Sequence, residues 1–105
     1  MHCSHHDIVL LPIPFTDLSS SKVRPAIIIG HGSFAGDLFV VPVTSQLGNA
    51  DLSLHDWRGA GLNVPSGVKS QIATVESALV RKVVGHLQPP DVTRLELELR
   101  HWLQL

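Results

Sequence analysis

Three serines, Ser19, Ser20 and Ser21, lead into Lys22 and then Arg24, which opens an apolar run. Hydroxyls, an ammonium and a guanidinium set so close together are the donor types that hold a phosphate or another oxyanion. Arginine suits that task because its charge is permanent and its planar fork donates two parallel hydrogen bonds to one phosphate. Thr44, at the end of another apolar run, can donate or accept one hydrogen bond, and Lys69 supplies a further cation. On residue types alone a plainer reading competes. Arg24 pairs with Asp7 or Asp17 on the surface, the serines form a solvated loop, Thr44 is an ordinary strand residue, and Lys69 is an edge charge.

The elements that must position these groups are short strands. Asp7 to Leu10, with Pro12, Pro14 and Phe15 stiffening its exit, and Ala26 to Ile29 read as two strands on either side of the serine loop. Leu38 to Val43 follows the turn Ala35-Gly36-Asp37, so it pairs antiparallel with Ala26 to Ile29. Leu52 to His55 alternates at period two, Asp56 to Gly67 is a Gly- and Pro-rich loop, Val68 to Val75 reads as one strand, and Val80 to Leu87 supplies a shorter element before Pro89-Pro90. In Asp91 to Leu105 the residues Val92, Leu95, Leu99, Trp102 and Leu103 recur at helical spacing. Asp91 is the N-cap candidate, Thr93 with Glu96 a weak capping pair, and Arg100 and His101 suit the negative end of the dipole. Short strands followed by one helix predict a mainly β fold, a small, strongly curved sheet or partly open barrel.

With 105 residues the chain has room for one domain and a modest core, residues 1–105. A net charge of −1 excludes a bulk basic protein, so a nucleic-acid partner has to be held by a local patch. No apolar run is long enough for a membrane span and MHCSHHD is not built like a signal peptide, which predicts a cytoplasmic protein; the single Cys3 agrees with a reducing compartment.

Four segments together resemble the MazF/PemK toxins of type II toxin–antitoxin systems. Asp7 to Phe15 and Arg24-Pro25-Ala26 are similar to the family's opening strand and RPA motif, and Val41 to Gln46 to its PITSQ-type strand end. Gly61-Leu62, Pro65-Ser66 and Val68-Lys69 resemble its GL-x-PS-x-VK segment, and Thr74 to Leu87 its TVE segment. Their order and spacing span almost the whole chain. Two departures stand out: His6 precedes the strand's acid where the family often has glycine, and Ser70 and Gln71 stand where some members carry an acid or an extra base.

The resemblance implies an SH3-like β-barrel and a metal-independent, sequence-selective endoribonuclease that acts as a homodimer on single-stranded RNA and is held by a cognate antitoxin protein. It makes Arg24 and Thr44 the catalytic residues, with no cofactor. Ser19, Ser20, Ser21, Lys22, Ser45, Gln46 and Lys69 are the candidate RNA-binding residues. Attack by the RNA's own 2′-hydroxyl requires the charge of a pentacoordinate phosphate to be stabilised, which a guanidinium does well, whereas arginine is a poor general base at neutral pH. Glu76, sharing a strand face with Thr74, is a minor candidate for moving protons, and Trp57 and Phe34 are candidates for stacking on bases. His2, His5 and His6 lack the spacing of a metal site, and nothing places Cys3 in a cleft as a nucleophile. The helix's apolar stripe, together with strands that are apolar on both sides of the Arg24 loop, is expected to exceed what one small barrel covers and so to favour a dimer. Two other functions remain open: a toxin of the same fold gripping a protein such as DNA gyrase, and a non-catalytic binding module.

Overall fold

The computed structural model describes residues 3–12 and 22–105. Its strands are β1 (Asp7–Pro12), β2 (Val23–His31), β3 (Asp37–Thr44), β4 (Leu52–Ser53), β5 (Gly67–Val68), β6 (Ala73–Glu76) and β7 (Lys82–His86), followed by one helix, α1 (Pro89–Leu103). They form an antiparallel sheet in the order β4-β5-β3-β2-β1-β7, with β6 also paired to β3. The mainly β class with a C-terminal helix is the one expected from the sequence.

The apolar runs of β1, β2 and β3 are continuous because this part of the sheet is buried on both faces. Ile8, Ile27, Val41 and Val43 pack into one core with Leu54, Val68, Leu87 and Leu95. Val9, Leu11, Ala26, Ile28 and Val40 pack into a second, with Cys3, Leu38 and Val80. A one-residue slip of register would exchange the two sets, so the alternation fixes the pairing Ile8↔Ile27 and Ile27↔Val41.

The strand expected from Val68 to Val75 is in fact two. Val43 faces Val68 and Val40 faces Ala73, so three steps along β3 are matched by five on the other side. The two extra residues form a bulge that bends the sheet. It is tied down by the Lys69 N–H, which donates to the Pro42 carbonyl at 3.1 Å, and by the Ser70 N–H, which donates to Asp51 Oδ2 at 2.7 Å. Pro42 sits where the partner changes from β6 to β5, and there its missing N–H interrupts no regular ladder.

Helix α1 begins with Pro89 and Pro90, whose fixed φ and absent N–H suit a first turn. Gln88 is the N-cap, without a side-chain cap bond, so Asp91 is not the cap residue that its sequence position suggested. Thr93 Oγ1 bonds back to the Pro89 carbonyl at 3.4 Å instead of pairing with Glu96. At the other end Gln104 adopts a left-handed conformation and its N–H reaches the Arg100 and His101 carbonyls. The stripe Val92, Leu95, Leu99 and Trp102 packs against the chain's own first core, with Leu95 fully buried. That corrects the expectation that the helix face is left over for a second copy; of the stripe only Leu103 is largely exposed, at 52%. No helix among the described residues is long and apolar enough to cross a membrane.

Candidate active site

Ala26 faces Pro42 across the β2–β3 pair. Two residues further toward the open end of both strands stand Arg24 and Thr44, which share a face with that pair by the period of two. Both line a groove of about 540 Å³, together with Lys22, Ser45, Gln46 and Lys69. The structure thus gathers into one cleft the described residues named from the sequence as catalytic or RNA-binding, Lys22, Arg24, Thr44, Ser45, Gln46 and Lys69. Ser19, Ser20 and Ser21 lie outside the described residues.

Each side chain has a local reason for its position. Arg24 stands at the exposed end of β2, and among the described residues it forms no ion pair. The alternative partner Asp7 is engaged elsewhere, its Oδ1 lying 2.9 Å from His86 Nδ1. Thr44 ends β3, where its Oγ1 accepts the Gln46 N–H at 3.0 Å. Accepting that bond uses a lone pair and leaves the hydroxyl proton for a ligand oxygen. A 3₁₀ turn at Leu47–Asn49 follows, closed by Asn49 N–H to the Gln46 carbonyl at 2.9 Å, and Asn49 Nδ2 donates to Gln46 Oε1 at 2.9 Å. Lys69 is brought in by its own backbone bond to Pro42, at the bulge.

The facing wall is the 56–66 loop, whose Leu62, Asn63, Val64 and Ser66 line the groove. It is fastened at three places. At its start the fully buried Asp91 carboxylate accepts the His55 N–H at 3.0 Å and the Asp56 N–H at 2.8 Å, and also takes Arg94 Nη1 at 2.8 Å. Burial pushes this carboxyl up, but the two backbone donors and the guanidinium outweigh it and hold it below its ordinary value. In the middle the loop crosses β7 at backbone contact. Gly61 has φ +94°, a Cβ on Gly85 would stand 1.7 Å from the Ala60 carbonyl oxygen, and the His86 N–H donates to that oxygen at 3.1 Å. At its end the buried Ser66 donates from Oγ to the Val64 carbonyl at 2.8 Å, and its own carbonyl accepts the Leu54 N–H.

Charge is distributed unevenly. Among the described residues the groove holds three cations, Lys22, Arg24 and Lys69, and no Asp or Glu, although the whole chain has a net charge of −1. Among the described residues a near-neutral protein therefore has a positive cleft, suited to a polyanion. Asn49, Asn63 and Gln71 also line it and were not singled out from the sequence. Asn and Gln in loops look like ordinary turn residues, and only their convergence across three separate segments marks them.

The remaining candidates lie elsewhere. Glu76 does share an exposed face with Thr74, but it pairs with Asp37 at the far end of β3 and is not among the residues lining the groove. Trp57 is partly buried against the first core with the Arg58 guanidinium 5.0 Å from its ring, and Phe34 is exposed in the β2–β3 turn. His5 stacks on His6 at 3.7 Å, and no cluster of metal-ligating type occurs among the described residues. Cys3 is buried, and burial with the nearby Asp7 charge pushes its thiol up, away from the nucleophilic thiolate.

The model of the PemK-like, MazF-like toxins of type II toxin–antitoxin systems matches residues 5–103. The chain belongs to this family. No curated protein matches the chain. The matched span includes every strand, the helix and every groove residue named above. Membership assigns this PemK/MazF-like chain the toxin side of a toxin–antitoxin pair and, with it, a cognate antitoxin partner.

Proposed function

We propose that this PemK/MazF-like toxin is an endoribonuclease that cleaves single-stranded RNA without a metal ion. The observation that carries the reading is the convergence of Arg24, Thr44, Lys22 and Lys69 in a cleft without an acidic side chain among the described residues. In the reaction the 2′-hydroxyl oxygen attacks the adjacent phosphorus, the bond to the 5′-oxygen breaks, and a 2′,3′-cyclic phosphate and a 5′-hydroxyl result. One proton leaves the 2′-oxygen and one arrives at the 5′-oxygen, so none is consumed overall. Arg24 donates to the non-bridging oxygens as charge builds there, and Thr44 Oγ1, held by the Gln46 N–H, adds a neutral donor. Lys22 and Lys69 hold flanking phosphates.

Arginine and lysines occupy the role that a divalent cation has in metal-assisted cleavage. Incubating single-stranded RNA with the purified protein in EDTA is the direct test. Cleavage is expected at an undiminished rate, and loss in chelator with recovery on adding magnesium would refute the reading. The functional form is a homodimer, and Val23, Phe39, Ile72 and Leu79 are among the exposed apolar side chains outside the helix that a second copy would cover.

A further inference from the structure

Gln46 and Asn49 form a linked pair at the rim of the groove, and their geometry suits neither phosphate binding nor a purely structural role. Both are exposed, and their one shared bond, Asn49 Nδ2 to Gln46 Oε1 at 2.9 Å, is the only hydrogen bond of either side chain among the described residues. It leaves the Gln46 amide NH₂ and the Asn49 carbonyl oxygen unused, a donor set beside an acceptor. A phosphate only accepts, so the acceptor half would repel it. A base edge carries both, and Asn and Gln are the side chains that engage such edges in pairs.

Rigidity points the same way. The pair is mounted on the 3₁₀ turn at Leu47–Asn49, fixed by Asn49 N–H to the Gln46 carbonyl and Ala50 N–H to the Leu47 carbonyl, and joined to Thr44 through the Gln46 N–H. Gln46 follows Thr44 by two residues, across a bend at Ser45. Across the groove Val64, 49% exposed, offers an apolar surface, and Asn63 a further amide.

We propose that the Gln46–Asn49 amide pair is the base-reading element of the groove, selecting the nucleotide next to the phosphate held by Arg24. This rests on the RNA-cleaving reading above. Arg24, Lys22 and Lys69 supply affinity that is indifferent to sequence, and the amide pair supplies selectivity.

The test measures fluorescence anisotropy of short, uncleavable 2′-O-methyl RNA oligonucleotides in which one central base is varied among the four. The protein is expected to separate its best and worst bases by roughly 5- to 100-fold, the range of one good paired contact. Asn49→Ala and Gln46→Ala should each collapse that ratio to within about twofold, with an unchanged urea midpoint. Arg24→Ala should weaken all four ligands alike and keep their order. An unchanged ratio and base order in both amide variants overturns the proposal, as does a parent protein that does not distinguish the bases. Base selection that is lost in the amide variants, in a protein that leaves ordinary RNA uncut, would refute the nuclease reading and leave the base reader standing.

Discussion

Replacing Asp91 by alanine should unfasten the wall of the groove and remove a large part of the chain's stability. The carboxylate is fully buried and receives three hydrogen bonds, from the His55 and Asp56 N–H groups and from Arg94. Alanine leaves both backbone donors without a partner, at about 1–3 kcal/mol each. Arg94 is 30% exposed and finds water, so its share is small. Together these give a loss of about 3–5 kcal/mol, the range for breaking one side of a buried charge pair, against the roughly 5–15 kcal/mol that holds a domain of this size. Asp91→Asn keeps the shape and one acceptor oxygen, and should lose about 2 kcal/mol. Urea unfolding followed by the fluorescence of Trp57 and Trp102 measures both. The pH dependence is a second check. Because the folded carboxyl is held below its ordinary value of 3.8, its contribution is complete above that value and is lost as pH falls through the lower, folded one. The stability gap between the parent and Asp91→Asn should therefore close in acid below 3.8. A gap under about 1 kcal/mol at neutral pH, or one that widens in acid, would refute the strap.

Arg24→Ala should lower RNA cleavage by roughly a hundredfold or more and leave the urea midpoint unchanged, since the side chain is exposed; normal cleavage would remove Arg24 from the mechanism. Gly85→Ala drives a methyl group to 1.7 Å from the Ala60 carbonyl oxygen, and the forced shift should lower Tm by about 10 °C or more; an unaltered melt would mean that the crossing of loop and strand is looser than described. Light scattering at about micromolar concentration should give twice the chain mass, the usual outcome when one apolar patch meets its symmetry mate, and a monomer would count against the homodimer.

How far the sequence foretold this site depended on the range of the interactions. Arg24, Thr44 and Lys69 were legible through the resemblance, which ordered the apolar runs they border; those runs are continuous and show no period of two by themselves. The split between Val68 and Ala73 was not, because both halves read as strand and only the two-residue offset against β3 separates them. Asp91 resembled a helix cap by its position after two prolines, whereas its two backbone partners are 35 and 36 residues away. Local capping rules contain nothing about such a contact. The helix stripe was found correctly but given the wrong partner, since spacing shows that a face is apolar without showing what covers it. Asn49 and Asn63 escaped notice because isolated amides are the default vocabulary of turns.

The fastenings of the 56–66 loop have an evolutionary consequence. Asp91 holds its start, the meeting of Gly61 with β7 its middle and Ser66 its end, while Asn63 and Val64 are exposed between the last two. Substitutions at these two positions alter what the cleft displays without entering either core. The stretch behaves as an exchangeable cassette clipped into a constant frame. On the RNA-cleaving reading proposed above, changes at these two exposed positions would alter what the cleft binds with little loss of foldedness, and a paired antitoxin that reads the same wall would have to change in step.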